Sequence, residues 1–163
     1  MEAKPAQNKP IFPRVRAMTT VAEILKSKSI QTVHTIDGEA TVLDAVQRMS
    51  EVNTGALVVL EKGRVVGMVS ERDCARKVIL EERPAREARV GQIMSTRVLV
   101  VRPDRTRDEC MALMTENRLR HLPVMDGERL VGLVSIGDLV KHAVSEQRFV
   151  IEQLEHYISG GQA

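Results

Sequence analysis

The chain has 163 residues, 43% hydrophobic content and a formal net charge of +2, which suits one compact domain or two half-domains sharing a core. Aromatics make up 2%, with no Trp, one Tyr and two Phe, so the core must be built from Val, Leu, Ile, Met and Ala, and the composition argues against a stacking platform for single-stranded nucleic acid. Acidic and basic residues are interspersed rather than blocked, which argues against a polybasic tether to DNA or membrane.

Residues 1–17 hold Pro5, Pro10 and Pro13 among Lys, Arg, Gln and Asn with no period, and read as a flexible leader. Lys4 and Lys9 are followed by no apolar h-region, so no signal peptide is expected. Thr20-Val-Ala-Glu23 is a capping box opening a short helix to about Leu25. Residues 32–36, mostly β-branched, predict a strand that ends at the turn Asp37-Gly38. Thr41-Val-Leu-Asp44 caps a second helix, in which Val42, Ala45, Val46 and Met49 recur at helical spacing. An apolar run at 56–60, the turn Lys62-Gly63 and a second run at 65–69 predict a buried hairpin. Ser70 then caps a helix expected over 71–82, with Pro84 beyond its end.

The Arg- and Glu-rich residues 83–89 read as a linker, after which the same course is run again. Ile93-Met94 ends a short helix, 98–101 predicts a strand, and Thr106-x-x-Glu109 is a further capping box. Runs at 122–125 and 130–134 form a hairpin around Asp126-Gly127. The last helix is predicted from Ser135 to Ile158, closed by Gly160-Gly161. Its stripe of Val140, Ala143, Val144, Val150, Ile151, Leu154 and Ile158 is too long for one repeat to cover. No apolar run approaches the roughly 18 residues needed to span a bilayer.

The recurrence is an internal repeat. Gly67-Met68-Val69-Ser70-Glu71-Arg72-Asp73 returns 65 residues later as Gly132-Leu133-Val134-Ser135-Ile136-Gly137-Asp138. The same offset pairs Thr41 with Thr106, Met49 with Met114 and Val59 with Val124. Two copies do not make a solenoid; they predict two small units packed face to face, each covering the other's apolar surface. Cys74 and Cys110 fall at non-equivalent places in the repeats and belong to no CxxC or Cys/His cluster. They read as buried thiols in a reducing, cytoplasmic compartment, with neither a disulfide framework nor a metal site.

These features resemble a tandem pair of CBS domains, a Bateman module, over roughly residues 20–145. The resemblance is carried by the two Gly-h-h-Ser-x-x-Asp segments, by Arg120-His121-Leu122-Pro123-Val124, and by the Thr-capped helix and Gly-centred hairpin in each copy. It implies an α+β fold of two pseudo-symmetric β-α-β-β-α repeats with a long C-terminal helix. The expected divisions are a leader 1–17, repeat 1 at 18–82, the linker 83–89, repeat 2 at 90–145 and a helical extension 146–163.

Ser70 with Asp73, and Ser135 with Asp138, can be read in two ways. Ser-x-x-Asp is a capping box and needs no ligand. Alternatively the carboxylate accepts both hydroxyls of a ribose, while the Ser and the helix N–H groups face phosphate. One Ser can do both, and the resemblance favours the second reading, since the family binds adenosine nucleotides at these positions. Arg118, Arg120 and His121 precede a strand in the second copy, where the first has the uncharged Asn53-Thr54-Gly55-Ala56. Cationic groups against Leu122-Pro123-Val124 are costly to bury without an anion; the alternative is a snorkelling Arg pair on a solvated rim. In nucleotide-binding members of the family, basic residues here hold phosphate.

By the same carry-over, one adenosine pocket would combine Met68, Ser70, Arg72 and Asp73 with Thr96 and Val98, closed by Leu119, Arg120 and His121. The other would combine Leu133, Ser135 and Asp138 with Ser29, Thr32 and His34, closed by Thr54, Gly55 and Ala56. Two unequal sites sharing one basic centre would suit AMP in one, or a dinucleotide such as NAD across both. No catalytic constellation is visible: His34, His121, His142 and His156 show no HxH or HExxH spacing, and no P-loop or GxGxxG precedes a helix. The resemblance therefore implies a nucleotide sensor rather than an enzyme, and the apolar stripe from Val140 to Ile158 leads us to expect a homodimer through the long helix; the alternative is a ligand-independent assembly or partner-docking module.

Overall fold

Each helix start that the sequence marks with a hydroxyl and an acid is built as a reciprocal cap. The computed structural model describes residues 18–29 and 31–159; the leader 1–17 and the closing Gly160-Gly161 lie outside the described residues. Helix α1 (Val21–Ser27) starts at Thr20, whose N–H donates to Glu23 Oε2 at 2.8 Å while its Oγ1 accepts from Glu23 N–H. The same exchange opens α2 (Val42–Glu51) at Thr41 and Asp44, and α5 (Arg107–Asn117) at Thr106 and Glu109. Such caps satisfy N–H groups that have no partner inside the helix, and contribute about 1 kcal/mol each.

Between α1 and α2 lies β1 (Thr35–Asp37), shorter than the run 32–36 suggests. It pairs in parallel with β2 (Ala56–Glu61), and β2 pairs antiparallel with β3 (Arg64–Ser70), giving a three-stranded sheet. Helix α3 (Glu71–Cys74) widens into a π-helical segment over Ala75–Ile79, so Cys74 and Val78 both face the core. The helix stops short of the expected residue 82. Arg83 N–H turns back to Val78 O at 2.9 Å, and Glu82 takes a left-handed φ of 52°. After α4 (Val90–Ile93) and α5 come β4 (His121–Asp126) and β5 (Arg129–Ser135), a separate two-stranded sheet. The two hairpins carry a register shift at equivalent places, Val59/Leu60 and Val124/Met125.

One expected strand is not formed. Residues 98–101 contribute a single parallel bridge, Val101 to Val124, where β1 has a three-residue ladder. Proline accounts for the difference. In the first repeat Val58 N–H donates to His34 O; the equivalent residue in the second is Pro123, which has no N–H to give. At the other end Pro103 stands where the first copy has Gly38.

The cores do not follow the order of the chain. One cluster joins Val42, Ala45, Met49, Leu57, Val59, Val69 and Val78 to Val90 and Ile93 of α4. The other joins Cys110, Met114, Leu122, Val124, Val134 and Leu139 to Val21 and Ile24 of α1. Thus the helix in front of each repeat closes the sheet of the other. Matching hydrogen bonds seat the two helices. Val21 N–H donates to Arg105 O and Arg107 N–H to Thr19 O, both at 2.8 Å; Val90 N–H donates to Ala40 O and Val42 N–H to Ala88 O, both at 2.9 Å. Glycine permits the close approach in both cases, since a Cβ on Gly132 would meet Leu25 of α1 and one on Gly67 would meet Met94 just after α4.

Helix α6 (Ile136–Ser159) runs for 24 residues, about 36 Å at 1.5 Å per residue. Its first half is held by buried Leu139, by a 2.6 Å hydrogen bond between His142 Nε2 and Ser27 Oγ, and by the Arg107–Glu146 ion pair. From residue 147 to 159 every position is exposed. Among the described residues no helix is long and apolar enough to cross a membrane.

Candidate functional site

A cavity of about 440 Å³ opens between the two repeats, in the size range that houses small-molecule ligands. Its walls come from the coil between α1 and β1, from the α2–β2 junction, and from β5 with the start of α6. Eight residues of the second predicted pocket line it: Thr32, His34, Thr54, Gly55, Ala56, Leu133, Ser135 and Asp138. Ser29, placed with them by the sequence, is exposed and lies off the wall. His121, assigned to the other pocket, is on this wall.

The remaining residues of the first predicted pocket sit elsewhere. Met68 is tied through its backbone to Ser95, in a pair of bonds of 3.0 and 2.8 Å. Arg72, Thr96 and Arg120 are exposed, Val98 is half-buried, and Leu119 packs against the second core. Ser70 and Asp73 form a capping box, with Ser70 N–H and Oγ both donating to Asp73 Oδ2 at 3.0 and 2.7 Å.

Ser135 and Asp138 form the corresponding cap, and here it faces the cavity. Ser135 N–H donates to Asp138 Oδ2 at 2.8 Å, and Asp138 N–H donates to Ser135 Oγ at 3.2 Å. The capping and ligand-facing readings are therefore compatible at this position. Lys28, which sequence reasoning passed over, reaches the same oxygen: its Nζ stands 2.9 Å from Asp138 Oδ2 and 3.0 Å from Leu133 O. Burial alone would raise the Asp138 carboxyl, but the Ser135 N–H and the Lys28 ammonium outweigh it and hold the group below the usual carboxylate range.

His121 is buried enough to be pushed below its usual 6.5; the Asp138 charge opposes that shift, and Lys28 and Arg120 add to it. At neutral pH it is a neutral imidazole on the wall. The cation next to the carboxylate is thus Lys28, from the first half of the chain, and not the Arg120-His121 pair that the sequence suggests. His34 adds a polar atom with nothing to bond: its Nδ1 is buried and has no hydrogen-bond partner among the described residues.

Comparison with known proteins decides the family. The CBS-domain model matches twice, over residues 21–80 and 90–145. The chain belongs to the CBS-domain family. The pair resembles a CBS domain-containing protein of Arabidopsis thaliana, named as mitochondrial, at 38% identity over 88% of this chain and 73% of that one. The solved structure of a CBS-domain protein from Burkholderia ambifaria is 51% identical, with a TM-score of 0.77 over 79% of this chain and 96% of that one. A hexameric CBS-CP12 protein from bloom-forming cyanobacteria is 31% identical, with a TM-score of 0.68 over 77% of this chain and 72% of that one. The CBS pair, with mixed helix and strand in two repeats and a long C-terminal helix, is therefore shown both by its own architecture and by its relatives.

Proposed function

We propose that this CBS pair is a regulatory module that binds AMP or a related adenosine nucleotide, with NAD as the dinucleotide alternative, and relays occupancy through a change of conformation. The observation that carries the reading is the cavity between the repeats. It brings Thr32 and His34 from the first repeat and His121, Ser135 and Asp138 from the second to one cavity. Asp138 supplies the carboxylate for a ribose, and the N-terminus of α6 lies beside it. A cytoplasmic setting suits the two buried free thiols.

Thermal unfolding with adenosine, AMP, NAD and GMP tests this. A ligand at 100 times its Kd stabilises by about 2.7 kcal/mol, which for a chain of this size raises Tm by roughly 5–10 °C. AMP or NAD should do so, and GMP should not. If none of the adenosine ligands moves Tm, a ligand-independent assembly module takes the place of the sensor.

Assembly has its own support in α6. Val140, Val144, Gln147, Ile151, Leu154 and Ile158 recur at alternating steps of four and three, the seam of a coiled coil. Val144, Ile151 and Ile158 fall at one core position, and Val140, Gln147 and Leu154 at the other. The thirteen residues 147–159 are exposed, and a second copy of the chain gives them a matching face. A homodimer about a two-fold axis is the simplest closure, and such dimers can build larger closed assemblies of the kind seen in the hexameric relative.

A further inference from the structure

We propose that Lys28 competes with the ribose for Asp138, and that this competition makes the cavity select phosphorylated over unphosphorylated adenosine. The inference rests on the nucleotide reading above and deepens it. Lys28 caps the C-terminal end of α1, and its ammonium holds Asp138 Oδ2 and Leu133 O together, 110 positions away from Asp138 in the chain. Both Lys28 and Asp138 line the cavity.

The arrangement is not a by-product of the repeat. In the first copy the carboxylate of Asp73 meets a lysine of its own helix, Lys77, at 3.8 Å from Oδ1, and Lys77 spends its ammonium on Ile93 O at 2.7 Å. The residue in the place of Lys77 in the second copy is His142, which bonds Ser27 Oγ. The second carboxylate therefore receives its cation from another element, across the ligand space.

Two consequences follow from the chemistry. A ribose diol that chelates the carboxylate uses both of its oxygens, and Oδ2 already carries the Ser135 N–H and the Lys28 ammonium, so seating both hydroxyls displaces the ammonium from Oδ2. Lys28 and Asp138 are 30% and 22% exposed, and a partly solvated pair of this kind opens at modest cost. The freed ammonium then needs a new anion. Adenosine brings none. A nucleotide brings phosphate, within the sweep of a flexible four-carbon stem whose backbone need not move. The uncharged ligand thus bears the loss of the ion pair uncompensated, while the charged one replaces it.

Calorimetric titration of the full chain with adenosine and with AMP tests the assignment, on the wild type, Lys28→Met and Lys28→Arg. Lys28→Met should bind adenosine roughly two- to fivefold more tightly, because a surface-type ion pair no longer competes. The same variant should bind AMP about tenfold more weakly, having lost a charge-assisted contact to phosphate. Lys28→Arg, which keeps the charge, should retain the preference for AMP, and urea unfolding of each variant checks that it is folded. If Lys28→Met shifts both ligands by the same factor, or leaves adenosine unchanged, the competition is wrong while the nucleotide reading stands on the wild-type titration. If the wild type takes neither ligand, the nucleotide reading fails and the competition falls with it.

Discussion

Gly132→Ala tests how closely α1 is seated on the second repeat. A methyl group at this position would lie 2.5 Å from Leu25 Cδ1, 2.7 Å from Cδ2 and 3.1 Å from Cγ. All three end atoms of the leucine are crowded at once, so Leu25 must leave its rotamer or α1 must shift. Overpacking of this kind costs about 1–3 kcal/mol. Against it stands a gain of roughly 0.5–1 kcal/mol for replacing glycine inside a strand. The net expectation is a loss of about 0–2.5 kcal/mol, or up to roughly 10 °C in Tm for a chain of this length. A double-mutant cycle with Leu25→Ala makes the result specific, because truncating the leucine removes the clash. The two changes together should cost less than their sum by about 1–2 kcal/mol in urea unfolding. Since Leu25 also lines the cavity, Gly132→Ala alone should weaken AMP. A Gly132→Ala protein more stable than wild type, or a coupling energy within about 0.5 kcal/mol of zero, would refute the close seating of α1.

Three further outcomes follow. Ile24 is fully buried in the second core, so Ile24→Ala should destabilise by about 2–5 kcal/mol, and hydrogen exchange should show β4 and β5 opening before β2 and β3. His121 has a folded pKa below its usual 6.5, so the unfolded chain binds the extra proton as pH falls through that value. Stability should be full above pH 6.5 and decline on acidification by at most about 1.4 kcal/mol per unit until the folded pKa is passed. The difference in Tm between pH 7.5 and 5.5 should then shrink in His121→Gln, while Asp138, held below the usual carboxylate value of 3.8, acts only in stronger acid. Ile151→Lys places a charge in the proposed seam of α6, and sedimentation at micromolar concentration should show a dimer becoming a single chain with its CBS pair still folded.

Local signals were legible in the sequence because their physics is local. Thr20, Thr41, Ser70 and Thr106 each find their partner three residues on, and the structure builds all four caps. The hairpins followed from apolar runs around Lys62-Gly63 and Asp126-Gly127, and the structure extends them by only a residue or so at each end. The run 98–101 looked as strand-like as 32–36, but a strand is made by its neighbour, and Pro123 lies 22 positions beyond Val101. Eight residues of one predicted pocket line a common cavity because the resemblance to CBS pairs, and not a local signal, named them together. Lys28 stayed hidden for the opposite reason: it has no counterpart that the repeat would mark, and nothing in a coil lysine announces a carboxylate 110 residues away.

The exchange of leading helices also sets an order in time. The first core is complete once Val90 and Ile93 have left the ribosome, since all its other members precede them. The second needs Val21 and Ile24, which are made early, and Leu139, which is made late. At about 5–20 residues per second, α1 waits on the order of ten seconds for its seat to be synthesised. During that interval its apolar face has only the nascent chain or a chaperone for company, so the amino-terminal helix is the last of the early elements to find its place.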